Sequence, residues 1–136
     1  HLKAAITIAE KIPSLNLVLD HLNNPPIPHQ SQMDIWRTNI KLAAQHKNIH
    51  AKISGLALAT GKFETWTSAD IQASIEYALE QFGTDRCFCG GDWPVSLLAG
   101  GFVKSIIAYR EIIENCLPII DQEKVYFKNA TLFYQL

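Results

Sequence analysis

Apolar and polar residues along this chain follow two rhythms in turn. Leu2, Ala5, Ile6, Ala9 and Ile12 fall on one helical stripe, and Pro13 and Ser14 end it. Leu15-Asn16-Leu17-Val18-Leu19 is an apolar run of strand length that closes in Asp20-His21. Residues 23–31 hold three prolines and no periodicity, which predicts a loop. Ile35, Trp36, Ile40, Ala43 and Ala44 restore the helical period over residues 33–46. Ile49 to Ile53 predicts a second strand, closing in Ser54-Gly55. Thr67-Ser68-Ala69-Asp70 has the form of a capping box, and its helix runs through Ile71, Ile75, Ala78, Leu79 and Phe82 to Gly83, a good residue just past a helix end. Arg86 to Cys89 predicts a third strand. Phe102, Ile106, Ile107, Ile113 and Leu117 mark a fourth long helix, and the tail 121–136 carries Val125, Phe127, Leu132, Phe133 and Tyr134 for packing against the helical layer.

Strands at near-even spacing with helices between them imply βαβ units and a parallel sheet, an α/β fold. Three strands are too few for a finished parallel sheet, which needs both faces covered and no open edge. A chain that opens on a helix also suggests that an earlier strand precedes it.

The candidate chemistry sits at the strand ends. Each predicted strand closes in a polar group: His21, Ser54 and Asp92. Parallel α/β folds bind ligands at the carboxyl ends of their strands, so this coincidence points to a catalytic rim. The alternative is that the three groups cap loops and bind one another. Cys89-Gly90-Gly91-Asp92-Trp93-Pro94-Val95 is the most specific stretch. Its glycines allow close backbone approach, Trp93 offers a wall, and a charge at the end of a buried strand is costly unless paired or put to use. Asp20, beside His21 in a strand, is expected on the opposite face. Lys52 is expected on the side of His50 and Ser54, either meeting a substrate carboxylate or lining the mouth as an ordinary polar residue. For Asp92 the structural alternative is an acid paired with Arg86 or with a loop amide. His50 is expected near the bottom of the sheet, His29 and His46 in solvent, and Trp36 and Trp66 in packing.

Composition narrows the classes. The 136 residues suggest one domain, and 48% hydrophobic with 18% charged residues excludes disorder. A net charge of -1 with no basic block argues against nucleic acid or an anionic membrane as partner. No apolar run reaches the roughly 18 residues of a membrane span, and no signal peptide is visible. Residue 1 is a histidine, so the start is processed, cut or part of a longer chain. The odd set Cys87, Cys89 and Cys116 argues against a disulfide framework and for buried thiols in a reducing cytoplasm, with a nucleophile or a metal pair as the minor reading.

Five segments occur in an order that carries more: Val18-Leu19-Asp20-His21-Leu22, Ala51-Lys52-Ile53-Ser54-Gly55-Leu56, Phe82-Gly83-Thr84-Asp85-Arg86, Gly90-Gly91-Asp92-Trp93-Pro94-Val95 and Asn129-Ala130-Thr131-Leu132-Phe133-Tyr134. Together they resemble the amidohydrolase-2 family, TIM-barrel metal-dependent hydrolases that include sugar and dicarboxylate lactonases. The resemblance implies that residues 1–136 are a single partial domain, the C-terminal half of a (β/α)8 barrel, roughly strands six to eight with flanking helices. It implies that His21 is the strand-six histidine and Asp92 the strand-eight aspartate, the general base that activates water. Both become ligands if the parent uses a divalent metal, zinc or manganese. Gly91 stands where the family usually has serine. The family's first-strand His-x-His pair has no counterpart here.

Two classes of function follow. The first is a hydrolase whose parent protein opens a lactone or cyclic ester of a sugar acid or dicarboxylic acid, a small-molecule substrate. Asp92 and His21 would be catalytic, with Trp93, Ser54 and Lys52 binding substrate. A decarboxylase on the same barrel is its enzymatic alternative. The second is an inactive fragment that self-associates, or pairs with the missing N-terminal half, through its open edges.

Overall fold

The computed structural model of the chain describes residues 2–136. Its elements are α1 (Leu2–Lys11), β1 (Leu17–Leu19), α2 (Gln30–Ala44), β2 (Ile49–Ile53), α3 (Leu56–Ala59), α4 (Ser68–Phe82), β3 (Cys87–Cys89), α5 (Gly101–Cys116), α6 (Ile119–Glu123) and α7 (Asn129–Tyr134). Short 3-10 turns follow β1, precede α4 and β3, and lead into α5, and a π turn joins α6 to α7. No helix among the described residues is long and apolar enough to cross a membrane.

The three strands form one parallel sheet in the order β1-β2-β3. Leu17 pairs with Ile49 and Leu19 with Ala51, while Ala51 pairs with Cys87 and Ile53 with Cys89. This register puts Leu17, Leu19, Ile49, Ala51, Ile53, Cys87 and Cys89 on one face, under the helices. Ile49, Ala51, Ile53 and Cys87 there are fully buried. Leu19 is buried in the same layer.

Several helices are set by identifiable caps. The Asp70 carboxylate accepts the Thr67 N–H at 2.9 Å, which closes the capping box that starts α4. Asn48 donates from one amide to the carbonyls of Ala9 and Leu15 and so ties the end of α1 to the start of β2. Arg86 donates to the carbonyls of Ala44, His46 and Ile49, closing the end of α2. That guanidinium sits at the entry end of the sheet, so the alternative of an Asp92–Arg86 ion pair is overturned.

The opposite face of the sheet holds Val18, His50, Lys52 and Phe88. The sequence reading places Phe133 and Tyr134 on the helical layer, and the structure puts them here instead. Phe133 lies edge-on to His50 with centroids 4.8 Å apart, and Phe88 touches both tail aromatics at 5.5 and 5.8 Å. The cause is Asn129, which donates to the carbonyls of Thr84 at 2.6 Å and Cys87 at 2.8 Å and pins the head of α7 at the entry to β3. From that anchor α7 turns beneath the sheet. Phe88 is fully buried as a result.

Other boundaries shift for physical reasons. Leu15 is exposed and bonds back to Ile12, so β1 begins at Leu17. In α5 the buried stripe is Ser105, Ala108, Tyr109, Ile112 and Ile113, whereas Phe102 and Ile107 are exposed. The free thiols of Cys87 and Cys89 lie in the layer between sheet and helices, where burial pushes both up to about 12. Burial thus favours the neutral thiol, the less nucleophilic form, at both positions. Cys116 is exposed rather than buried.

Candidate active site

Parallel strands bring their carboxyl ends to one rim, and His21, Ser54 and Asp92 meet there. His21 Nδ1 lies 2.8 Å from Ser54 Oγ, and His21 Nε2 lies 3.7 Å from Asp92 Oδ1. Ser54 is buried, at 1% exposure, while the side chains of His21 and Asp92 keep 32% and 15%. The imidazole is thus held from behind by a buried hydroxyl and presents its outer nitrogen, beside a carboxylate, to the mouth. A hydroxyl both donates and accepts, so Ser54 can support either neutral tautomer of His21.

The backbone is shaped for this approach. β1 stops at Leu19, and His21 and Leu22 take left-handed conformations at φ 56° and 49°. The turn rotates Asp20 and His21 to the same mouth, which corrects the expectation that Asp20 faces away. An alternation rule ends where the strand ends. Asp92 itself sits at φ 51°. Gly55, at φ +63°, underlies the pair: a Cβ there would stand 2.5 Å from His21 Nδ1 and 3.0 Å from Asp92 Oδ2. A side chain at Gly91 would run into the Phe102 ring, so an aromatic is packed against this strand tip.

The rim lines an open hollow of about 500 Å³, bounded by Asp20, His21, Lys52, Ser54, Asp92, Trp93 and Phe102 together with Gly90 and Gly91. Trp93 stands 71% exposed at its edge. Lys52 reaches up from the sheet interior to Asp20 Oδ1 at 3.0 Å. Burial pulls its ammonium down, but the hydrogen bond and charge of Asp20, with Tyr134 beneath, outweigh that and leave its pKa raised. All five residues expected at the site therefore converge. Asp20, Gly55 and Phe102 were missed. Asp20 and Gly55 each stand beside a chosen residue, and only the left-handed turns reveal that they share its mouth.

The other histidines lie apart. His50 is at the entry end of β2 with an unpartnered, buried Nδ1, and burial, then the Arg86 charge, lowers its pKa. His46 is 3.8 Å from Glu10, and His29 is exposed.

Residues 1–136, the whole chain, match the family model for amidohydrolases. The chain belongs to the amidohydrolase family. Among its relatives, the L-fucono-1,5-lactonase of Burkholderia ambifaria is 34% identical over 147 residues, which cover all of this chain and 47% of that protein. A second L-fucono-1,5-lactonase, from Burkholderia multivorans, is 27% identical over 88% of this chain and 43% of its own length. A crystal structure of a Burkholderia multivorans amidohydrolase with bound zinc superposes with a TM-score of 0.90 at 24% identity, over 99% of this chain and 49% of that one. The chain therefore spans about half the length of the relatives it matches. Its parallel three-stranded sheet and flanking helices have the fold of half an amidohydrolase TIM barrel, and its rim lies at the carboxyl ends of those strands.

His21 Nε2 and Asp92 Oδ1 are nitrogen and oxygen donors of the kind zinc accepts. Among the described residues, no group of three or more His, Cys, Asp or Glu is placed to hold a metal ion. A catalytic zinc takes about three protein ligands. This amidohydrolase half fits a share of a metal site and not a complete one.

Proposed function

We propose that the intact protein hydrolyses a lactone of a sugar acid, with L-fucono-1,5-lactone the first substrate to try, and that Asp92 is its general base. The observation that carries this reading is the Asp92 carboxylate at the barrel mouth, 3.7 Å from an imidazole that Ser54 holds at 2.8 Å. The lactonase relatives supply the substrate class.

The chemistry follows from what each group can do. Asp92 accepts a proton from a water as that water's oxygen attacks the lactone carbonyl carbon. Negative charge then develops on the carbonyl oxygen. His21 Nε2–H, favoured when Ser54 donates to Nδ1, faces that oxygen and donates to it. The ring C–O bond breaks as the carbonyl re-forms, and the proton on Asp92 passes to the departing ring oxygen. The product is the open hydroxy acid. Where the intact protein binds zinc or manganese, His21 Nε2 and Asp92 would be its ligands from this half, and the ion would polarise the carbonyl. Trp93 and Phe102 form the wall against which the sugar ring lies, and Lys52 meets its polar substituents.

The remaining half of the barrel belongs to the same reading. β1 and β3 each have one unpaired edge within this chain. Leu97 and Leu98 stand exposed beyond the β3 tip. We take the rest of the barrel to cover these surfaces and complete the site.

The test is lactone opening by the intact protein, followed by pH-stat. Asp92→Asn should lower turnover about 100- to 10,000-fold, the usual worth of a positioned acid–base group. The far-ultraviolet circular dichroism should not change, because the volume is conserved. Retained turnover would place the base elsewhere.

A further inference from the structure

The rim carries charge that lactone opening by Asp92 and His21 does not use. Lys52 Nζ and Asp20 Oδ1 are 3.0 Å apart in the same hollow, and both remain open to it, with side chains 27% and 56% exposed. Lys52 Nζ also lies 6.0 Å from the Tyr134 ring centre. A Cβ on Gly90 would press on Lys52 Cε at 2.9 Å, so that glycine keeps the lysine's path clear. The pair is thus built into the mouth rather than swept over a surface.

A lysine meant for a substrate carboxylate should be free of competing anions. This one is already neutralised by Asp20. An anionic substrate group would have to displace Asp20 or sit beside it, and would share the hollow with the Asp92 carboxylate. Like charges held in one hollow repel. A neutral polyol meets neither penalty. One of its hydroxyls accepts from the Lys52 ammonium, and its neighbour donates to the Asp20 carboxylate, so the pair reads two adjacent hydroxyls at once. Trp93 and Phe102 line the same hollow and are exposed. Aromatic faces suit the C–H face of a sugar ring.

We propose that Asp20 and Lys52 form a diol-reading pair that selects a neutral, polyhydroxylated lactone over a carboxylated one. The inference rests on the lactonase reading and extends it to the substrate's charge and substituents.

The experiment uses the intact protein and three probes: a neutral aldono-1,5-lactone, its analogue lacking the ring hydroxyls, and an aldaric monolactone that carries a free carboxylate. Wild type should prefer the first by kcat/KM. Lys52→Met should raise KM for the neutral aldonolactone about 10- to 100-fold, the worth of a hydrogen bond to a charged group. The loss on the deoxy analogue should be smaller, because that analogue lacks the hydroxyls the ammonium would meet. Asp20→Asn keeps the size of the side chain and frees the ammonium, so it should shift selectivity toward the carboxylated lactone about tenfold or more. A residue that only held the fold in place would move all three probes together. If wild type opens lactones but prefers the carboxylated one, or if Asp20→Asn leaves the selectivity unchanged, the inference is overturned while the lactonase reading stands. If no lactone is opened, the lactonase reading falls and takes this one with it.

Discussion

Replacing Gly55 by alanine in the intact protein should damage the site more than the fold. A methyl group at this position would stand 2.5 Å from His21 Nδ1, whereas ordinary contact begins at 3.4 Å. The imidazole must therefore retreat by about 0.9 Å. Its 2.8 Å hydrogen bond to Ser54 does not survive a retreat of that size along the bond. Misplacing a reacting group by about 1 Å costs on the order of 100-fold in rate. Stability should also fall. Alanine at φ +63° bears left-handed strain of about 1–2 kcal/mol, and overpacking adds about 1–3 kcal/mol. Gly61 separates the two effects. It has φ +70° but open surroundings, with Pro28 Cγ the nearest atom at 3.5 Å. Gly61→Ala should show the strain alone, with kcat/KM unchanged. The assay pairs urea denaturation with lactone turnover for both variants. If Gly55→Ala turns over within about threefold of wild type, or is no less stable than Gly61→Ala, the packing argument fails.

Further expectations concern the ends of the fold remote from the mouth. Asn129→Ala leaves the Thr84 and Cys87 carbonyls without their donor, and should cost about 1–3 kcal/mol in urea denaturation. No loss would mean that α7 is held by its aromatics alone. Arg86→Lys should also destabilise, because a single ammonium cannot match a fork that reaches three carbonyls, while kcat/KM stays near wild type. A selective loss of turnover would contradict the placement of Arg86 away from the site. His50, whose folded pKa lies below its ordinary 6.5, resists protonation, so its contribution to stability is full above that pH and declines as pH falls toward the folded value. His50→Phe should therefore lose less stability than wild type between neutral and mildly acidic pH, and equal slopes would refute this. Residues 1–136 expressed alone should open no lactone and should scatter light as a species larger than 15.2 kDa.

Much of the architecture was legible because buried parallel strands and amphipathic helices write different periods. The convergence of His21, Ser54 and Asp92 was readable from strand ends alone, since parallel strands share one polarity. What escaped was controlled by single backbone angles and remote anchors. Strand alternation puts Asp20 on the wrong face because the strand ends at Leu19 and φ 56° at His21 redirects the turn that follows. Phe133 and Tyr134 were sent to the helical layer because apolar residues in a tail do not say which face of the sheet they cover. The two Asn129 hydrogen bonds decide it. Ser54 is buried behind His21, a depth that spacing does not encode.

The central claim is that water attacks at the Asp92–His21 rim, and a co-crystal structure of the intact protein with a phosphonate mimic of the opening lactone tests it most directly. The account predicts one phosphonate oxygen within about 2.6–3.2 Å of the Asp92 carboxylate, a second facing His21 Nε2, and the ring against Trp93. A mimic bound on the same face but beyond reach of Asp92, with its oxygens held by other groups, would contradict it.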